Sequence, residues 1–353
     1  MLLKIGCNFD LELIDQLAAL NTKYPNSRAK VGELYGSLPS VNPIGSARPN
    51  FRLKDGDQTF LADYVKKANA NGIVINYTLN TSAVDPRQLI KTEKEIASFL
   101  QWLQDIGVRR VTVAHPLVAQ LVSTHSSLPM ELSTILQIRH PRQLETFKKR
   151  YPQIDKICID VFANRDKEKL HILEDIGRKL KIRLEVIANE FCIFECIDRN
   201  QCYDFHALNL TLDETKLFGR YPMGRCISNR IIDPIEWLYA RFILPQWMDT
   251  YYHKFGIESF KITGRTHPTA FVVKVSEAYM QESYTGNLLE LWADVENIGR
   301  IESEYRSPRV HIDCGKLPNF MDFYFNSAFP VTQEREKGFI NESFRVSYSE
   351  QPN

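Results

Sequence analysis

Little in this sequence advertises charge of one sign. Across 353 residues, 44 lysines and arginines face 43 aspartates and glutamates, leaving a formal net charge of +1. No global basic field draws the chain to nucleic acid or an anionic membrane, although a local RNA-binding face stays open. No apolar run reaches the roughly 18 residues of a membrane helix. The opening Met-Leu-Leu-Lys-Ile-Gly-Cys-Asn-Phe-Asp meets an acidic residue too soon for a signal peptide, so the expected location is cytoplasmic. There is no G-x-S-x-G and no H-E-x-x-H, which argues against two common hydrolase designs. A Cys–His pair stays open, because such partners meet in space and not in sequence.

Cysteines are few but clustered. Four of the seven lie between residues 189 and 226. Cys192, Cys196 and Cys202 follow a C-x3-C-x5-C spacing, and Cys226 comes next. In a reducing compartment such thiols serve metal binding or catalysis more often than disulfides, and an odd total agrees. The spacing matches neither C-x3-C-x2-C nor the paired C-x2-C knuckles of structural zinc sites. Three cysteines within eleven residues of a polar loop point first to an iron–sulfur site, then to zinc, then to incidental thiols. Cys7 and Cys158 fall within apolar runs and read as core, while Cys314 stands alone.

The chain around this segment repeats one unit. Short apolar runs at 2–6, 29–35, 73–78, 110–115, 132–138, 156–160, 182–187 and 256–262 read as eight strands. Between most of them lie helical patterns, at 11–20 behind Asp10, then 60–70, 86–106, 141–151 and 166–180. A further aromatic-rich helical segment spans 231–253, interrupted at Pro245, and 269–280 closes the series. Eight alternations over this length predict a TIM-like (β/α)8 barrel, with an insertion at about 203–255 between strands seven and eight. The runner-up, a doubly wound open sheet, lacks its glycine-rich fingerprint. The expected division is a barrel over 1–285 and a short C-terminal appendage with a mobile end over 286–353. Residues 36–57, with Pro39, Pro43 and Pro49, read as a long functional loop.

A barrel of this kind carries its site at the C-terminal ends of the strands. The polar residues expected there include Asn8, Glu33, Tyr35, Tyr77, His115, His140, Asp160, Asn189, Glu190, Lys261 and Arg265. The catalytic candidates are Glu33, Tyr77, His115, Asp160 and Glu190. Asn189, Lys261 and Arg265 are the substrate-binding candidates. A lysine and an arginine four apart can converge on carboxylate or phosphate. The bland alternative is an ion pair with Glu33 or Glu190. Trp237, Tyr239, Phe242, Trp247, Tyr251 and Tyr252 suit either a subunit interface or the barrel wall.

Ser259-Phe260-Lys261-Ile262-Thr263-Gly264-Arg265 resembles the signature of the peptidase U32 family, the collagenase-like peptidases. Ala278-Tyr279 fits the helix that follows it. Asn189-Glu190-Phe191-Cys192, with Cys196, Arg199, Cys202 and Tyr203, resembles the family's shorter single-barrel branch. The resemblance is clear over about 182–290, and the first 150 residues agree mainly in rhythm. It implies a TIM-like barrel and a 4Fe-4S cluster on four cysteines, here Cys192, Cys196, Cys202 and Cys226, with Cys314 as substitute for the last. It implies either peptidase activity or oxygen-independent hydroxylation of a small molecule or nucleobase, or else an accessory subunit working with a partner of similar fold. The chain departs from the commoner pattern, in which a serine-glycine pair separates the first two loop cysteines. Peptide, quinone and RNA substrates all stay open.

Overall fold

Eight short runs of branched apolar residues, each too brief for a helix, pair in chain order and close on themselves. A computed structural model describes residues 1–210, 223–233, 235–293, 309–317, 319–326, 331–343 and 347–349. Strands β1 (Leu2–Gly6), β2 (Lys30–Gly36), β3 (Val74–Leu79) and β4 (Arg110–Val113) form one half of the barrel. The other half is β5 (Met130–Leu132), β6 (Ile154–Cys158), β7 (Arg183–Ile187) and β8 (Ser259–Ile262). Every pairing is parallel, and β8 closes on β1 through Leu2–Ser259 to Ile5–Ile262. Parallel strands need crossovers, and helices supply them. The expected TIM-like barrel is therefore the observed fold.

The crossover helices show why the polar–apolar rhythm was readable. Helix α1 (Leu11–Lys23) begins where the Asp10 carboxylate accepts from Glu12 N, and it buries Leu13, Ile14, Leu17 and Leu20 against the strands. Next come α2 (Gln58–Ala70), α3 (Pro86–Lys91), α4 (Glu93–Asp105), α5 (Pro116–His125), α6 (Pro141–Arg150) and α7 (Lys167–Leu180). The single helix expected over 86–106 is two. Thr92 bonds back to the Gln88 carbonyl at 2.9 Å, a bond that bends helices, and α4 starts afresh after it.

The fifth strand also needs correction. It is Met130–Leu132 and not 132–138, because the Ser133 hydroxyl accepts from Ile135 N and turns the chain into a 3-10 helix over Thr134–Leu136. The helical segment expected over 231–253, interrupted at Pro245, is broken further. Between β7 and β8 lie α8 (Arg199–Ala207), α9 (Met223–Ile232), α10 (Glu236–Tyr239) and a π turn at Met248–Tyr252. Ile243 N instead donates to the Ala188 carbonyl at 2.7 Å, and Pro245 could not continue a helix. Of the expected insertion at 203–255, residues 211–222 and 234 lie outside the described residues.

After β8, α11 (Thr269–Gln281) packs on β1 and α1. The remaining described elements are β9 (Arg309–His311), α12 (Asp322–Phe325), α13 (Gln333–Ser343) and β10 (Ser347–Ser349), with β9 and β10 antiparallel. The expected mobile end, residues 350–353, lies outside the described residues. The aromatic stretch of the insertion covers the barrel wall: Trp237, Phe242, Trp247, Tyr251 and Tyr252 are buried. Trp247 stacks on Phe320 at 5.7 Å, and Phe191 stacks on Phe242 at 5.4 Å. No helix among the described residues is long and apolar enough to cross a membrane.

Candidate site at the barrel mouth

The barrel interior is filled with charge, which apolar strand runs would not suggest. Lys4, Glu33, Glu131, Lys156 and Glu185 are all at most 1% exposed. Lys4 pairs with Glu131 and reaches Glu185 at 2.6 Å, while Lys156 reaches Glu185 at 2.5 Å and Glu33 at 3.3 Å. Arg110 meets Glu33 at 3.3 Å, and Asn76 donates to Glu33 at 2.7 Å and to Glu131 at 2.8 Å. Three carboxylates thus meet three cations. Burial pushes the Glu33 carboxyl up, but Lys156 and Lys4 outweigh it and hold it below the ordinary range. For Glu131, burial and the charge of Glu185 prevail, and its carboxyl is raised.

Above this layer the strand ends place the site. Lys261, on β8, is buried with its ammonium 4.2 Å from the Tyr35 ring centroid. Arg265, in the turn after β8, donates to Thr78 Oγ1 at 2.9 Å and to Ser46 Oγ at 3.2 Å. The turn fits because Gly264 adopts φ 147°, and because a Cβ on Gly6 would stand 2.7 Å from Arg265 N. Burial lowers both cations, Arg265 to about 9, with Arg48 adding repulsion there. Asn189 ties the ends of β7 and β8 together, accepting from Thr263 N at 2.6 Å and donating to the Leu291 carbonyl at 2.9 Å.

The cysteine segment leaves β7 and lies over this mouth. Cys196 and Cys226 bond through their side chains, and Cys226 also faces Cys192. Cys202 faces both Cys192 and Cys196. All four thiols are partly buried and none is in a disulfide. The bond with Cys226 lowers the Cys196 thiol to about 6. Burial pushes Cys192 up, and pushes Cys202 to about 11. Cations surround the group: Arg199 faces Cys192 and Cys196, Arg230 faces Cys192 and Cys226, and Arg48 faces Cys202.

Two of those cations hold unused donors. Nη2 of Arg199, and Nε and Nη2 of Arg230, are buried without a hydrogen-bond partner among the described residues. Arg230 stands one helical turn beyond Cys226 and stacks 4.5 Å from the Trp237 centroid. Thiols on neighbouring segments, two of them in contact, bordered by orphaned cationic N–H groups, have the chemistry of a thiolate-bound, negatively charged cluster, whose sulfurs accept such bonds. Among the described residues, no three of His, Cys, Asp and Glu gather closely enough to hold a single metal ion. Cys314 sits elsewhere, near Tyr279, Tyr284 and Glu290.

The catalytic candidates divide by position. Asp160 is fully buried beside the cysteine segment, bound by Arg139 and, at 2.5 Å, by Arg199. Glu190 borders Cys192, Cys202 and Tyr203, and its carboxylate accepts from Phe191 N at 3.0 Å. Glu33 is not at a strand end but mid-strand, in the charge layer below. Tyr77 points to the helices, meeting Phe99 at 5.7 Å and donating to the Leu38 carbonyl. His115 caps α5, its Nδ1 accepting from Leu117 N at 3.1 Å, and His140 caps α6 in the same way. Lys261 and Arg265 make no ion pair with Glu33 or Glu190. Sequence reasoning missed Arg48 and Arg230 as neighbours of the thiols. Arg48 had one signal, its place in the proline-rich loop. Arg230 had its one-turn spacing from Cys226.

No protein-family model matches the chain. It is 27% identical over 285 residues to a Methanocaldococcus jannaschii protein described as an uncharacterized protease, covering 79% of each chain. A solved U32 peptidase aligns with a TM-score of 0.45 and 16% identity over 63% of this chain and 83% of that one. The D-psicose 3-epimerase of Clostridium cellulolyticum, solved with D-tagatose, aligns with a TM-score of 0.41 and 11% identity over 80% and 96%. The likeness to the archaeal protein, described as a protease, agrees with the resemblance of Ser259–Arg265 to the U32 peptidases.

Proposed function

We propose that this U32-like protein is an iron–sulfur enzyme, an oxygen-independent hydroxylase or related oxidoreductase acting on a small molecule or nucleobase. The reading is supported by the contact of Cys196 with Cys226, with Cys192 and Cys202 in the same segment, beside N–H groups of Arg199 and Arg230 that are unpartnered among the described residues. These four cysteines would hold a 4Fe-4S cluster, which supplies electron transfer or a Lewis-acidic iron to the reaction. Asp160 orients Arg199, which faces Cys192 on one side and the carboxylate on the other. Glu190 is the carboxylate placed to exchange a proton at the mouth, because it borders the thiols and, among the described residues, bonds only to its neighbour's N–H. Phe162 and Phe194 pack edge to face at 5.5 Å, with the Arg199 guanidinium over Phe162 and that of Arg241 over Phe194.

Anaerobic purification tests this reading. A visible absorption band with iron and sulfide in equal amounts, bleached by Cys192→Ala and Cys226→Ala but kept by Cys314→Ala, is the expected outcome. A colourless protein carrying stoichiometric zinc or no metal would sink it. One observation favours a second reading, a peptidase: the described activity of the archaeal relative. Peptide hydrolysis that survives Cys192→Ala would establish that alternative.

A further inference from the structure

We propose that Lys261, Arg265 and Arg48 form an anion pocket in the barrel mouth that takes a carboxylate or phosphate group of the substrate. Lys261 is 5% exposed and Arg265 7%, yet neither has a carboxylate within ion-pair distance among the described residues. A buried charge without a counter-charge is expensive, and native proteins keep one only where something compensates it.

Glu131 and Glu185 attract Lys261 only from beyond ion-pair distance. The carboxylates of Glu33, Glu131 and Glu185 are engaged below by Lys4, Lys156 and Arg110. Lys261 stands over the Tyr35 ring and donates no hydrogen bond among the described residues. Arg265 uses its N–H groups on two neutral hydroxyls, Thr78 and Ser46, which fix the plane of the guanidinium without neutralising it. Arg48 comes from the loop that follows β2, bonds among the described residues only to the Ala47 carbonyl, and lies two residues beyond Ser46, which Arg265 holds. Lys261 over the Tyr35 ring and Arg265, bound to Ser46 of the Arg48 loop, therefore leave buried positive charge at the mouth that a ligand oxyanion would offset. An arginine fork with a lysine point charge is the donor set suited to carboxylate or phosphate. Because Arg48 also faces Cys202, the anion would be held beside the thiols. That last step alone rests on the iron–sulfur reading.

The test is titration of the full-length protein with inorganic phosphate and, separately, malonate, followed by calorimetry and thermal unfolding. Saturable binding of at least one anion is expected, weakened about tenfold or more in Arg48→Ala and Lys261→Met. Arg48 lies on a loop, so its variant tests the pocket even if a buried substitution misfolds. Tighter phosphate binding would assign a phosphoester substrate, and tighter malonate binding a carboxylate. Absence of saturable binding by the wild type, or equal binding by both variants, would overturn the proposal. The same titration on Cys192→Ser separates the two readings: retained binding without iron leaves the pocket standing and removes only the cluster.

Discussion

Lys4 sits in the middle of a five-residue strand and governs the barrel interior. Its ammonium bridges Glu131 and Glu185, both fully buried. Burial alone would lower a lysine, but Glu131, Glu185 and Glu33 together raise it, so it stays charged at any physiological pH. Removing one partner from such a network leaves the others unpaired, which costs about 3–5 kcal/mol. Lys4→Met should therefore unfold at much lower denaturant, with an unchanged slope. Adding Glu131→Gln should recover part of the loss, because the two residues share one interaction. A single-variant cost under about 0.5 kcal/mol, within the range of an ordinary surface change, would show that Lys156 can serve all three carboxylates.

At the scale of elements, strand number and helix rhythm were legible because both rest on local periods, two for strands and 3.6 for helices. Where side-chain hydrogen bonds redirect the backbone, the rhythm misled, as at Ser133 and Thr92. The cysteine spacing exposed the loop, but Arg48 and Arg230 reach it from distant segments, and no local pattern records that. Lys4, Glu131, Lys156 and Glu185 did leave a trace, a charge set among apolar residues in a short buried strand. The meeting of β1 with the turn after β8 was partly visible as Gly-Arg in the Ser259–Arg265 signature. Its counterpart, Gly6, was not. A Cβ there would press on the backbone nitrogens of Gly264 and Arg265, at 3.0 and 2.7 Å. Gly6→Ala should therefore displace the Arg265 turn, costing about 1–3 kcal/mol as overpacking does, and weaken anion binding more than Asn8→Ala does. Undiminished anion affinity in Gly6→Ala would show that the turn can shift without moving the guanidinium.

At the scale of the whole molecule, the C-terminal elements brace the cysteine segment through one buried ion pair. Glu336 of α13 binds Arg241 through both oxygens and accepts from the Tyr324 hydroxyl at 2.7 Å. Arg241 in turn lies 3.6 Å from the Phe194 centroid, inside the cysteine segment. Arg165 completes the seam between Phe242 and Phe320, at 4.6 and 4.7 Å. Burial raises the Glu336 carboxyl, but its bond to Arg241 outweighs burial and leaves it below the ordinary value of about 4.3. A depressed carboxyl stabilises the fold fully above its unfolded value, and that contribution is lost as pH falls through the folded one. Glu336→Gln should thus cost about 2 kcal/mol or more at neutral pH, where Arg241 loses its counter-charge. The gap between wild type and variant should close below about pH 4. Amide exchange at residues 191–198 should quicken in the variant, because Arg241 would no longer be pinned over Phe194. A gap that stays constant down to acid would mean that packing against Tyr324, and not the ion pair, joins the C-terminal elements to the barrel.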